Sequence, residues 1–353
     1  MTGLKAYSKA DYFKQLSQDI KDCTKGDRIL VGAMSFDQDE PLVAELFKAL
    51  AEAASRGTTT TLIVDAYSFL IGKHNLPGPL LFSRSVEHYS LQQFSAKTRA
   101  LDTLRAHGVS VGITNLPARR FSNPFAGRSH AKYAVINDTA YIGGCNLDSS
   151  IDYDLMLGYE NRQLADWLYL YAQDLIQNNG RSSLYRQDYR LDINSKTQLL
   201  LDSGIAGQSA ILQQAYKVID RAQKDLMLTC MLFPDGSVMQ HLINAHKRGV
   251  QVRLICNHPK KLRFPDNLYH TFQMQRHRNR VPVNFYDHQL PQNVEFLHLK
   301  VLVSEQATIV GSHNFVDIGV KLGTIEMALY IEDSSSVSII RQFVENMLGE
   351  SKI

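Results

Sequence analysis

The chain has 353 residues, 44% of them apolar and 21% charged, with a formal charge of +3. That length holds two ordinary domains or one body built from two similar halves, and the composition excludes a disordered chain. So small a net charge excludes a general attraction to nucleic acid or anionic lipid, which makes any anion site a local one. The opening MTGLKAYSKADYFKQLSQDI has no signal-peptide core, and no stretch nears ~18 consecutive apolar residues. A cytoplasmic protein, at most peripheral to the inner face of a membrane, is therefore expected.

From Asp27, DRILVGAMSFDQDEPLVAELFKALAEAASRGTTTTLIVDAYSF reads as buried strand, acidic turn, helix and second strand, the helix stopping at Arg56-Gly57. A helical region near Gln92 to His107 and a short strand, VSVGI, follow. Next comes SHAKYAVINDTAYIGGCN, Ser129 to Asn146, whose YAVI reads as a strand. YDLMLGYE at Tyr153 reads as a closing strand, and QLADWLYLYAQDLI at Gln163 as an amphipathic helix. The polar, aperiodic stretch from Asn178 to Lys196 reads as a connection.

The plan then repeats. KDLMLTCMLFPDGSVMQHLINAHKRGVQVRLICNHPKK starts at Lys224 and again places strand, turn, helix ending in Arg248-Gly249, and strand. A helical region near Asp266 to Arg278 and the strand VPVNFY precede LHLKVLVSEQATIVGSHN, Leu297 to Asn314. IEMALYIED at Ile325 and the helix SSVSIIRQFVENML at Ser335 close the second half. Strand–helix–strand units of this length favour crossover connections and parallel pairing. The expected architecture is α/β: two pseudo-twofold-related α/β/α sandwich halves with mixed, mainly parallel sheets. Residues 1–180 form the first half, 181–196 the connector and 197–353 the second half.

His130 and Lys132, like His298 and Lys300, stand two apart, so along a strand each pair shares a face. Gly143-Gly144 and Gly311-Ser312 allow close backbone approach beside Asn146 and Asn314. A lone HxK carries little: His258-Pro259-Lys260 lacks the following strand, Gly pair and Asn, and reads as a bland loop. Two in-register copies set face to face make a pocket of two imidazoles, two ammoniums and two amides, suited to an anion rich in oxygen. A phosphodiester fits, because one imidazole can attack phosphorus while the other protonates the leaving alkoxide. No cluster of Asp and Glu surrounds the motifs, so neither metal nor another cofactor is expected. Cys23, Cys145, Cys230 and Cys256 form no CxxC pair, which suits reduced thiols.

These two segments resemble the paired HKD motifs of the phospholipase D superfamily: His-x-Lys, four residues, Asp, then Gly-Ser or Gly-Gly, any residue, and Asn. CMLFPDGSVMQHLINAHKRGVQVRLI is similar to the second half of bacterial cardiolipin synthases, and IGGCN points the same way. The resemblance implies a metal-independent, ping-pong phosphatidyl transfer or hydrolysis on phospholipid at a membrane surface, through a phosphohistidine and within one chain. It implies a catalytic set of His130, Lys132, Asn146, His298, Lys300 and Asn314, with Asp154 and Glu326 at an acidic position that orients a His. Gly144, Ser312 and Arg128 are the expected substrate-binding residues. The chain departs from the pattern at the motif Asp, where Asn137 (with Asp138 beside it) and Glu305 stand; that position reads as a turn and support residue. The interval to the Gly pair is also one residue short in both copies. Arg119, Arg120, Phe121, Pro124 and Phe125 make a basic-aromatic rim suited to a membrane surface, and Arg276, Arg278 and Arg280 a basic helix end. The alternatives are a nuclease of the same superfamily, disfavoured by the low charge, and a non-catalytic anion-binding scaffold.

Overall fold

A computed structural model describes residues 3–69, 91–116, 126–148, 153–262, 266–277, 280, 286–287 and 296–349. The first half runs β1 (Leu4–Ser8), α1 (Lys9–Asp22), β2 (Arg28–Ala33), α2 (Pro41–Ser55), β3 (Thr59–Asp65), α3 (Leu91–Ala106), β4 (Ser110–Thr114), β5 (Lys132–Ile136), β6 (Thr139–Gly143), β7 (Leu155–Glu160) and α4 (Arg162–Gln177). The second runs β8 (Tyr189–Asn194), β9 (Thr197–Ser203), α5 (Ala210–Arg221), β10 (Asp225–Cys230), α6 (Gly236–Lys247) and β11 (Gln251–Cys256). It continues through α7 (Asp266–His277), β12 (Tyr286–Asp287), β13 (Val301–Ser304), β14 (Thr308–Gly311), α8 (Asp317–Lys321), β15 (Ile325–Ile331) and α9 (Ser334–Met347).

The strands form two sheets of one design. The first is ordered β1-β7-β6-β5-β2-β3-β4 and the second β12-β11-β10-β13-β14-β15-β9-β8, the same order read backwards with β8 added at the edge. The α/β halves are as expected, but their sheets are not mainly parallel. Among the described strands, only β2–β3–β4 and β10–β11–β12 pair parallel; the other strand pairs are antiparallel. The reason is connection length. Helices α2 and α6 give crossovers, whereas β5 returns into β6 through Asn137 and Asp138 alone, which only an antiparallel pair permits. The stretch expected as a bare connector also contributes β8, whose Leu191 and Ile193 point inward at a two-residue period.

Gly57 (φ +94°) and Gly249 (φ +92°) end α2 and α6 in the left-handed region, as the Arg-Gly signature predicts. Helices α1, α2 and α3 pack on the outer face of the first sheet, and α5 and α6 on that of the second. Between the sheets lies one shared core, drawn from both halves and including α4 and α9, with Leu157, Leu168, Leu299, Met327 and Ile340 among its buried members. The four cysteines are all buried. Among the described residues, no helix is long and apolar enough to cross a membrane.

Candidate active site

Each HxK segment enters its strand from the seam between the halves. The backbone just ahead of β5 pairs with the start of β15: His130 N–H donates to the Ile325 carbonyl at 2.8 Å, and Ile325 N–H to the Arg128 carbonyl at 2.8 Å. The mirror arrangement joins the second motif to the first half, with His298 N–H donating to the Tyr153 carbonyl at 2.8 Å and Tyr153 N–H to the Phe296 carbonyl at 3.0 Å. The next residue after each bridge is acidic. Glu326 therefore meets His130, Oε2 to Nδ1 at 3.0 Å, and Asp154 meets His298, Oδ2 to Nδ1 at 2.5 Å. Each carboxylate crosses the seam to the imidazole of the opposite half. With Nδ1 so engaged, each ring presents Nε2 as the atom left for chemistry.

Both imidazoles are 13% exposed, while Lys132 and Lys300 are almost wholly enclosed. Each ammonium donates to the backbone carbonyl of its own His: Lys132 to His130 at 2.6 Å, and Lys300 to His298. Burial drives the Lys132 pKa down to about 7, with Lys300 also lowering it and Glu326 opposing; Lys300 is lowered for the same first reason. Burial would raise Asp154 and Glu326, yet the cations facing them win and hold both near about 2. Burial, then Lys300, lowers His298 to about 4, and burial lowers His130 against the pull of Glu326. Lys300 acts on His130, and Lys132 feels both Glu326 and Asp154, so the two motifs share one electrostatic environment.

The chain as a whole has counterparts among known proteins. A family model described as "Cardiolipin synthase, PLD-like domain" matches residues 16–172 and 216–348. The chain belongs to this PLD-like family. It is 25% identical over 279 residues to the minor cardiolipin synthase ClsB of Bacillus subtilis (strain 168), a match spanning 73% of this chain and 65% of that relative's length. Among solved structures, the phosphatidylserine synthase of Haemophilus influenzae Rd KW20 superposes with a TM-score of 0.67 at 14% identity, covering 99% of this chain and 86% of that one. Polyphosphate kinase from Porphyromonas gingivalis gives a TM-score of 0.55 at 13% identity, covering 98% and 46%. These two likenesses show the shared fold.

Other residues singled out from the PLD-like motifs fall into different surroundings. Asn146 and Asn314 each hold a side-chain oxygen that is buried and has no hydrogen-bond partner among the described residues. Gly144 is required by its neighbour, since a Cβ there would lie 2.1 Å from Asp154 Oδ1. At the matching position the Ser312 hydroxyl donates to the Glu326 carboxylate and accepts from Met327 N–H at 3.0 Å. Both residues thus hold a carboxylate in place. Arg128, expected at the substrate, is instead turned into the protein, with Nη1 3.2 Å from Asp65 Oδ1 and 2.9 Å from the Asn115 carbonyl. Asn137 sits in a two-residue turn at φ +52°, a conformation Asn tolerates, and its Oδ1 accepts from Arg28 N–H at 3.1 Å. Glu305 accepts from Gln223 N–H at 2.8 Å just ahead of β10, so both departures from the motif Asp support the start of a central strand. His258-Pro259-Lys260 lies on an exposed single-turn helix, in keeping with a bland loop. Arg119, Arg120, Phe121, Pro124, Phe125 and Arg278, and the strand VPVNFY up to Phe285, lie outside the described residues. Arg276 and Arg280 are exposed.

Two residues at the site were not foreseen. Asp65, ending β3, accepts from Ser129 N–H at 2.8 Å, and Asn257, just past β11, accepts from Leu297 N–H at 2.8 Å. Each clamps the residue immediately before its His. Their place at the carboxyl ends of parallel strands, where α/β sheets gather ligands, was the available signal.

Proposed function

We propose that the chain catalyses phosphodiester transfer through a phosphohistidine, moving a phosphatidyl group from one phospholipid to a second alcohol or to water. The observation that carries this reading is the crossed pairing of His130 with Glu326 and His298 with Asp154 beside two buried ammoniums. A carboxylate on Nδ1 fixes the tautomer that leaves an Nε2 lone pair for attack, and stabilises the ring when it charges. In the first step one Nε2 bonds to phosphorus and the bond to the leaving alcohol's oxygen breaks, while the opposite imidazolium gives that oxygen its proton. In the second step the acceptor oxygen attacks phosphorus, the P–N bond breaks, and the acceptor's proton returns to the same imidazole. Lys132 and Lys300 would bear on the non-bridging oxygens; within ~4 Å and out of water, such charges are worth several kcal/mol. Asn146 and Asn314 would complete the cradle. The names of the bacterial relatives, cardiolipin synthase and phosphatidylserine synthase, favour a phospholipid substrate.

The test offers the purified chain phosphatidylglycerol liposomes and, separately, labelled single-stranded DNA, both in chelator, with products read by mass spectrometry. Cardiolipin or phosphatidic acid is the expected product, and DNA should stay intact. His130→Ala and His298→Ala should each lose on the order of 10³-fold or more in turnover, as for residues that act as a unit. Cleaved DNA with untouched lipid would move the reading to a nuclease; full activity in both variants would remove the mechanism.

A further inference from the structure

Helix α7 is inside out. A surface helix of a water-soluble body buries an apolar stripe and exposes a polar one, but α7 encloses His270, Gln273 and His277 and exposes Leu268 at 61% and Phe272 at 59%. Those two stand one turn apart on the outer face, with exposed Gln275 and Arg276 continuing it. Hydrogen bonds fix which face turns inward. His270 Nδ1 accepts from Phe233 N–H at 2.9 Å, and the Tyr269 hydroxyl donates to Asp235 Oδ2 at 2.6 Å, where Asp235 opens α6. Asp235 Oδ1 in turn accepts from Asp317 N–H at 2.9 Å, three residues after Asn314. Helix α7 is thus tied to the end of the sheet that carries the second motif, and it cannot rotate to bury Leu268 and Phe272 without breaking these bonds. Gln273 Oε1 and both ring nitrogens of His277 are buried with no hydrogen-bond partner among the described residues, a cost that water alone does not repay. The duplication supplies a control. Helix α3 lies between β3 and β4 as α7 lies between β11 and β12. Over its described side chains it buries Leu101 and Leu104 and exposes Arg99, Asp102, Thr103 and Arg105. The fold therefore does not require an apolar outer face at this place.

The charges around this face have one sign. Lys260 and Lys261 are exposed on the single-turn helix ahead of α7, which Asn267 Nδ2 holds by donating to the Pro259 carbonyl at 2.5 Å. Arg276 and Arg280 are exposed at the far end. From His258 to Arg280 the sequence has six Lys and Arg against one acid, Asp266, so the surroundings favour an anionic partner. We infer that the outer face of α7 docks on an anionic membrane surface, with Leu268 and Phe272 entering the acyl boundary and Lys260, Lys261, Arg276 and Arg280 meeting lipid phosphates. Adjacent apolar side chains flanked by cations are the pattern such an interface takes up. A nucleic-acid backbone would use the same cations but leave Leu268 in water, which is why lipid is the occupant. The inference rests on the phospholipid reading above and deepens it, naming the surface that brings the seam to its substrate.

Flotation of the full chain with vesicles tests this, comparing phosphatidylcholine alone with an equal mixture of phosphatidylcholine and phosphatidylglycerol. The wild type should float with the mixed vesicles, and less as salt rises. Leu268→Ser combined with Phe272→Ser should lower the partition coefficient by about tenfold or more. Lys261→Gln combined with Arg276→Gln should lower it at low salt and flatten its salt dependence. Both double variants should keep wild-type turnover of dihexanoyl phosphatidylglycerol below its micelle concentration, while turnover on vesicles falls in step with binding. A serine variant that floats like the wild type overturns the docking face. So does a wild type that ignores vesicles and loses, on the same serine substitutions, either a dimer in solution or binding to single-stranded DNA, which would give the face to a second copy or to nucleic acid. Should the serine variant fail to fold, Phe272→Trp decides: its emission should shift to the blue on mixed vesicles beyond any change from the native Trp167, and an unshifted spectrum overturns the docking face. The two readings also fail separately. A wild type that floats but turns over neither form of phosphatidylglycerol overturns the phospholipid reading, whereas one that turns over the dihexanoyl lipid and never floats overturns the docking face alone.

Discussion

Lys132 shows how far the site departs from what folding alone would favour. Its side chain is fully enclosed and its pKa falls, chiefly through burial, to about 7, against ~10.4 in an unfolded chain. Between those two values the unfolded chain holds the proton that the native chain gives up, so this group's contribution to stability rises with pH across that window. Below about 7 the full cost of a buried ammonium is present; above ~10.4 it has gone. Lys132→Met should therefore lose this pH dependence and abolish turnover. Relative to the wild type, the variant should be more stable at pH 6 than it is at pH 10, whatever its absolute stability once Glu326 has lost a facing cation, and inorganic phosphate should stabilise the wild type more than the variant. Thermal scans of both proteins at the two pH values check it; a stability difference that does not change between pH 6 and pH 10 would show that Lys132 keeps its proton throughout.

At the level of elements, the ends of β3 and β11 set the position of each His. Asn257 is wholly buried and gives its amide to the Leu297 and Met231 carbonyls at 2.7 and 3.0 Å while accepting from Leu297 N–H. Asp65 does the corresponding work in the first half, and Arg128 stands beside its charge where the second half has neutral Asn257 and Phe296. An uncharged clamp needs no cation, which is the physical sense of the exchange. Asn257→Ala should cost about 1–3 kcal/mol for the polar groups left unpaired, and lower kcat more than it raises KM, because His298 loses its anchor rather than a substrate contact. Unfolding and steady-state kinetics on one preparation would check both. An unchanged kcat would leave the clamp with a purely structural role. The same exchange explains what the sequence could and could not reveal. Strands β2, β3, β10 and β11, helices α2 and α6, and the paired HxK segments repeat with enough identity to be aligned by eye. Asp65 and Asn257 differ in type, as do Arg128 and Phe296, so their equivalence emerges only when the strands are superposed. The crossing of Asp154 to His298 and of Glu326 to His130 is a tertiary fact between residues 144 and 196 positions apart, beyond any local period. Parallel pairing was overestimated because the crossover helices are conspicuous and a two-residue turn such as Asn137-Asp138 is not.

On the scale of the whole molecule, the halves are joined by more than a connector. The core between the sheets draws on both, and the backbone bridges Ser129 to Ile325 and Tyr153 to Leu297 stitch each motif to the other half. Within one chain, therefore, each imidazole already has its carboxylate. An arrangement in which two chains exchanged halves would instead place His130 of one chain against Glu326 of another, with the same local contacts. Mixing separates the two cases. Full-length His130→Ala and His298→Ala, combined after co-refolding from denaturant, should show no turnover above that of either alone, since every site assembled from one chain lacks one ring. Activity recovered on mixing would mean that intact sites form between chains, because only a site drawing one motif from each variant has both histidines. The ratio of recovered to wild-type turnover would then count such sites. Because the stitching hydrogen bonds lie within one core, separation of the halves requires that core to be opened, and the intrachain arrangement is the one the buried contacts sustain.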